Sequence, residues 1–168
     1  MCIKKIISFF KKSSSVVVYS PCDGEIKDIA NIEDEVFSKN VLGRGVYITP
    51  EIGEFHAMVN GKLVNVFPLG HYYCIKTSDT GYEVVLHIGI DSVNVSGSCF
   101  SKKVEQDDEV EQGSLLVEVN IDELGKKAKS LDSPIIVTNE SLKNAQITDI
   151  KYGKVKTGDP IFTIVKKS

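Results

Sequence analysis

The sequence is poor in several things. It has no tryptophan, two methionines and five prolines. It has no excess of positive charge: the formal net charge is -3, which leaves no global basic field for holding nucleic acid. It has four cysteines, Cys2, Cys22, Cys74 and Cys99, with no C-x-x-C pair among them, so neither a zinc ribbon nor a dithiol redox motif is indicated. Free thiols in a reducing, cytoplasmic setting are the simplest account of that spacing. No apolar run is long enough to span a bilayer. No glycine cluster is followed by the helix that a Walker loop or a dinucleotide fingerprint requires. There are only three histidines, His56, His71 and His87, and no H-x-H or H-E-x-x-H. A mononuclear catalytic zinc site would therefore lack its third protein ligand.

What is present is a chain of 168 residues, 42% hydrophobic and with 13 glycines, a size that suits one domain with a substantial core. Residues 1–15 stand apart. Ile3, Ile6, Ile7 and Phe10 repeat at helical spacing against Lys4, Lys5, Lys11 and Lys12. Such a segment either rests on an anionic membrane surface or is a solvated terminus. Ser13-Ser14-Ser15 reads as the hinge into a domain over 16–168.

From residue 16 onward the pattern is one of short β-branched runs separated by turns. Val16–Tyr19, Glu25–Ile29, Val46–Thr49, Lys62–Val66, His71–Thr77, Gly81–Asp91, Ile135–Val137 and Ile161–Ile164 read as strands. Gly43-Arg44-Gly45 reads as a chain break and Asn60-Gly61 as a hairpin turn. Glu33–Ser38 offers one helical turn, and Asn120 caps a second short helix that carries Ile121, Leu124, Ala128 and Leu131 on one face. Residues 101–112 are acidic and polar and read as a solvated loop. The expected architecture is an all-β sandwich or barrel with a few short helices. Internal similarity points to duplication. The stretch 20–29 matches 57–66 about Gly24 and Gly61, and 110–119 matches 155–164 about Gly113 and Gly158. Lipoyl and biotin carrier domains also use glycine hairpins, but none of these hairpins offers a convincing lysine at its tip.

The chemistry concentrates on Gly81–Asp91. Alternation places Val84, Leu86, Ile88 and Ile90 on one face and Val85, His87 and Gly89 on the other. A lone histidine in such a strand is more often a hydrogen-bonded core residue than a reactive one. Here, however, His71 begins the preceding strand, and antiparallel pairing can bring the two imidazoles together. Two neighbouring imidazoles suit phosphoryl transfer. One serves as a neutral nucleophile, and its neighbour opposes a second positive charge and donates to a phosphoryl oxygen.

These residues carry a resemblance. The motif Gly81-x-x-Val84-Val85-Leu86-His87-Ile88-Gly89-Ile90-x-Ser92-Val93, together with Ser20–Ile26, Asp34–Phe37, Leu42-Gly43-x-Gly45, Pro134–Ile136 and Gly158-Asp159, resembles the glucose-type enzyme IIA domain of the bacterial sugar phosphotransferase system. The resemblance implies a flattened antiparallel β-sandwich. It implies that His87 accepts a phosphoryl group from the carrier protein HPr, that the group passes to a cysteine of a IIB domain, and that His71 is the second active-site histidine. Asp34 and Asp91 correspond to acidic residues beside the site, and Val36, Phe37 and Val93 to an apolar docking rim. No cofactor is implied, although zinc at a partner interface is known for this histidine pair in the family. The alternative on the same fold is a regulatory module that binds transporters or kinases according to its phosphorylation state. The sequence departs from the family pattern at Leu69, where a threonine hydroxyl could orient an imidazole, at Arg44 in place of aspartate, at Met58 in place of proline, and at Cys99 in place of glycine.

Overall fold

The computed structural model describes residues 14–93, 95 and 97–168, so the amphipathic pattern ahead of Ser14 lies outside the described residues. Among the described residues, fourteen strands and two α-helices follow in order. The first strands are β1 (Ser15–Tyr19), β2 (Gly24–Asp28), β3 (Gly43–Pro50) and β4 (Glu54–His56), with α1 (Glu35–Ser38) between β2 and β3. Then come β5 (Gly61–Val66), β6 (Tyr72–Thr77), β7 (Glu83–His87), β8 (Phe100–Lys102), β9 (Glu109–Val110) and β10 (Leu115–Val119). After α2 (Ile121–Lys127), β11 (Ser133–Thr138), β12 (Ala145–Thr148), β13 (Gly153–Val155) and β14 (Pro160–Lys166) complete the chain. An eight-stranded sheet runs β13-β2-β3-β11-β7-β6-β5-β9, and two three-stranded sheets run β1-β14-β12 and β4-β10-β8. All named pairings are antiparallel, as expected for an all-β sandwich.

The core follows the alternation of the strands. Val46, Ile48, Leu63, Tyr73, Ile75, Val84, Leu86, Ile135 and Val137 point between the sheets, where they meet Phe162, Ile164, Leu116 and Val117. On the outer face of the large sheet a smaller cluster forms from Ile29, Phe37, Tyr47, Cys74, Val85, Ile90 and Ile136. Burial of these apolar side chains, at roughly 25 cal/mol per Å² of surface removed from water, is the main term holding the sheets together.

The duplication seen in the sequence is a two-fold of the fold. In the large sheet the order β13-β2-β3-β11 is repeated outward from the centre by β9-β5-β6-β7. The pair Ile135–Leu86 lies at the axis. Gly24 sits opposite Pro50 as Gly61 sits opposite Thr77. The second matched pair, β10 and β14, forms the middle strands of the two small sheets.

Four local readings differ from expectation. Gly43 and Gly45 lie inside β3, because their bare backbone lets β11 pass close, and so the chain does not break there. Asn60-Gly61 does not join a hairpin: β4 pairs with β10 in a small sheet and β5 with β6 in the large one. The acidic stretch 101–112 contains part of β8 and all of β9, both at sheet edges, where one polar face costs nothing. Cys99 is in a 3-10 turn at Gly97–Cys99 and is not among the positive-φ residues, so a side chain is tolerated there.

A Cβ at Gly61 would lie 2.1 Å from the Lys76 carbonyl oxygen and 2.8 Å from its carbon, both backbone atoms of the paired strand. Gly61→Ala is expected to lower the unfolding free energy by about 2 kcal/mol. The measurement is the shift of the denaturant midpoint at unchanged slope, and an unshifted midpoint would refute the close-approach role.

Candidate functional site

The expected central strand is shorter than its sequence suggests, and the reason builds the site. β7 ends at His87. Gly89 takes φ +76, a left-handed conformation that glycine adopts at no steric cost. The turn carries Ile90 into the outer cluster with Val85, while Ile88 stays with Leu86 in the main core. The alternation expected across Gly81–Asp91 therefore holds only up to Gly89. Serine hydroxyls brace the turn. Ser92 donates to the Ile88 carbonyl at 2.6 Å, and the Gly89 amide donates to Ser133 Oγ at 3.1 Å.

The turn folds the Gly89 carbonyl back onto His87. His87 Nδ1 lies 2.9 Å from that oxygen. A carbonyl can only accept, so Nδ1 carries the proton, and neutral His87 keeps its lone pair on Nε2. Burial lowers the His87 pKa, opposed first by the Gly89 hydrogen bond and then by the charges of Asp34 and Asp91.

His71 is brought to the same place. It precedes β6, whose first residue, Tyr72, lies directly opposite His87. The Ile88 amide donates to the His71 carbonyl at 2.7 Å and ties the two segments together. The ring centroids of His71 and His87 are 5.4 Å apart and nearly perpendicular. His71 is only 2% exposed, and neither of its ring nitrogens has a hydrogen-bond partner. Leu69 offers no hydroxyl that could orient it. Burial, with a smaller contribution from the His87 charge, lowers its pKa to about 4, so it is neutral throughout the physiological range.

An aromatic collar surrounds the pair. Phe37 packs on His87 with centroids 5.3 Å apart, Phe67 meets His71 at 5.4 Å and stacks on Tyr72 at 4.3 Å, and Phe100 lies 6.2 Å from His71. Sequence reasoning named Phe37 but missed Phe67, Tyr72 and Phe100. The available signal was the run of aromatics at and after Phe67, on either side of His71.

Of the other expected residues, Val36 and Val93 are exposed apolar groups, and Asp91 is exposed at φ +53. Asp34 does more than line a rim. Its carboxylate caps α1, accepting from the amides of Val36 at 2.9 Å and Phe37 at 3.4 Å, and so fixes the turn that seats Phe37 on His87. Arg44 is not part of this rim. It pairs with Val137 in β3 and lines a separate cavity. His56 is also apart, its Nδ1 3.0 Å from the Pro21 carbonyl, to which it donates.

A metal would find two imidazoles here and no more. Among the described residues no group of three His, Cys, Asp or Glu side chains is placed to hold an ion. The pair supplies half of a tetrahedral set, and any remaining ligands would have to come from another molecule.

Comparison with known proteins agrees with the all-β fold. The family model described as phosphoenolpyruvate-dependent sugar phosphotransferase system, EIIA 1, matches residues 16–142. The PTS system glucose-specific EIIA component of Mycoplasma capricolum subsp. capricolum is 44% identical over 153 residues, spanning 91% of this chain and 96% of that protein. The solved structure of glucose permease IIA from Mycoplasma capricolum matches with a TM-score of 0.85 at 41% identity, covering 92% of this chain and 99% of that one. The family match and the relatives' identity over nearly the whole chain show that it belongs to the EIIA 1 family of the phosphoenolpyruvate-dependent sugar phosphotransferase system.

Proposed function

We propose that this chain is a phosphocarrier for sugar uptake, with His87 as the phosphoryl acceptor. The observation that carries the reading is the bond from His87 Nδ1–H to the Gly89 carbonyl, which leaves Nε2 as the nucleophilic nitrogen beside a neutral His71. In the forward step the Nε2 lone pair attacks the phosphorus of phospho-HPr. The new P–N bond forms as the donor's P–N bond breaks, and the electron pair of that bond returns to the donor imidazole. In the onward step a thiolate of a IIB domain attacks the same phosphorus, and the pair in the P–N bond returns to His87 Nε2. The carrier needs no cofactor for either step. A zinc ion held at a partner interface would use the same two imidazoles, and so would compete with the phosphoryl group for Nε2.

His71 supplies an N–H donor to a phosphoryl oxygen, a contact that strengthens as charge develops in the transfer. Val36, Val93 and Phe37 form the apolar part of the docking face, and Asp34 and Asp91 its acidic part, facing basic groups on HPr or the IIB domain. The work of such a carrier is cytoplasmic, since HPr delivers the phosphoryl group there.

His87→Gln is expected to take up no phosphoryl group from phospho-HPr while unfolding at the same denaturant concentration as the parent. Intact mass after incubation with phosphoenolpyruvate, enzyme I and HPr reads this directly, and a gain of one acid-labile phosphoryl group in the variant would exclude His87 as the acceptor. His71→Gln is expected to accept the group but to pass it to a IIB cysteine at least about tenfold more slowly, the loss of one well-placed donor. Onward transfer at the parent's rate would remove His71 from the mechanism.

The pH dependence has a definite sign. Protonated imidazole cannot attack phosphorus, and the His87 pKa lies below the ordinary 6.5. With saturating donor, the acceptance rate is therefore expected to fall as the pH is lowered, with its half-maximal point below pH 6.5. A half-maximal rate at or above pH 7 would contradict the buried, neutral nucleophile.

A further inference from the structure

The two-fold of the large sheet gives the histidine site a counterpart. Arg44 precedes Pro50 in β3 by the same number of residues as His71 precedes Thr77 in β6, and Pro50 and Thr77 are equivalent across the axis. Arg44 therefore occupies the place of His71, and Gly45 that of Tyr72. In the partner strands, Ile136 stands one residue beyond Ile135 as His87 stands one beyond Leu86, and Ile135 and Leu86 face each other at the axis. The counterpart has no second histidine and hence no nucleophile. It has a cavity of about 650 Å³ in place of the aromatic collar. Gly45, in the place of Tyr72, lines the cavity with backbone alone, because a Cβ there would lie 2.1 Å from the Ile135 carbonyl oxygen.

We propose that this cavity is a binding site for a phosphorylated sugar or polyol, with Arg44 holding the phosphate. The volume is within the range of small-molecule sites. Three cationic side chains line it, Arg44, Lys143 and Lys167, against one anionic side chain, Asp28, in a chain whose net charge is -3. Lys143 pairs with Glu140, and Lys167 donates to the Leu142 carbonyl at 2.7 Å. Arg44 is in none of the ion pairs among the described residues. Its planar fork is the donor arrangement best matched to phosphate.

The rest of the lining specifies the body of the ligand. Asn40, Asn139 and Gln146 line it with amide side chains, groups that pair with ligand hydroxyls. Tyr152 presents a ring that is 54% exposed, the kind of face on which the C–H side of a sugar ring packs. An anion without hydroxyls would leave the lining amides and the Tyr152 ring unused, and a neutral sugar would leave the Arg44 guanidinium without an anion. The occupant that answers both is a hydroxylated phosphate ester. Its chemistry is that of the product of sugar phosphorylation, so the site is placed to sense that product on the same molecule that carries the histidine pair.

The test is chemical-shift mapping on the intact chain, with glucose 6-phosphate as the probe and glucose and inorganic phosphate as controls. Glucose 6-phosphate is expected to shift the amides around Asn40, Arg44, Asn139 and Tyr152 and to leave those around His71 and His87 in place. Glucose is expected to shift nothing, and inorganic phosphate to bind at least about tenfold more weakly. Arg44 is exposed, so Arg44→Gln folds normally, and it is expected to weaken the response at least tenfold as well. The proposal is overturned by no shifts at millimolar probe, by shifts centred on the histidines, by a response that survives Arg44→Gln, or by inorganic phosphate binding as tightly as the ester. The cavity lies outside the histidine site, so these outcomes do not depend on whether His87 accepts a phosphoryl group.

Discussion

The hydrogen bond from His87 Nδ1 to the carbonyl of Gly89 is the contact on which the site depends. It joins two residues of the same turn, so it exists only if the chain reverses at once after His87. That reversal requires the left-handed backbone of Gly89. A side chain there would be strained by conformation alone, and its Cβ would also lie 3.2 Å from the Ser130 carbonyl oxygen. The same turn ends β7, moves Ile90 to the outer face and brings the Ile88 amide to the His71 carbonyl. One glycine thus sets the tautomer of the first imidazole and the position of the second. The aromatic collar then excludes water, and this keeps both rings neutral.

The electrostatics of the pair suit a group that is to be held briefly. Two neutral imidazoles in a desolvated collar offer no fixed positive charge to a phosphoryl dianion. The nearest charges identified with His87 are those of Asp34 and Asp91, which oppose an anion. A site built to retain phosphate would present arginine and lysine. On the carrier reading, the missing cations come from the docked partner, so the phosphoryl group is most stable in the complex and less so in the free carrier. Asp34 serves this arrangement twice. Its carboxylate is committed to the N-terminus of α1, which seats Phe37, and its charge opposes the loss of a proton from His87.

Most of the strands were legible in the sequence, because β-branched alternation and burial coincide in a two-sided sandwich. The features that were not legible are those decided by distant chain segments. Gly43-Arg44-Gly45 looks like a break until β11 passes over it at backbone distance. Asn60-Gly61 carries a hairpin signature, yet the strands on either side belong to different sheets, which a local turn preference cannot specify. β8 and β9 hide in an acidic stretch because edge strands need little apolar content. In the site, His71 and His87 could be paired from strand order alone. Phe67, Tyr72 and Phe100 could not be assigned as a collar, because aromatic residues near a histidine are as common in plain cores as around reactive groups.

The two-fold also frames why a duplicated sheet carries one histidine pair. The backbone supplies two equivalent positions, although the β5–β6 ladder shifts register between Leu63 and Asn65 and the β2–β3 ladder does not. What differs is side-chain volume and charge at a few matched places. One half has histidine and tyrosine at the head of its strand and closes around them. The other has arginine and glycine there and stays open. Three matched positions differ, His71 against Arg44, Tyr72 against Gly45 and His87 against Ile136, and they separate a buried, neutral histidine pair from a cavity lined by cations. The chemistry is therefore set by local substitution on a symmetric frame. The frame itself confers neither function.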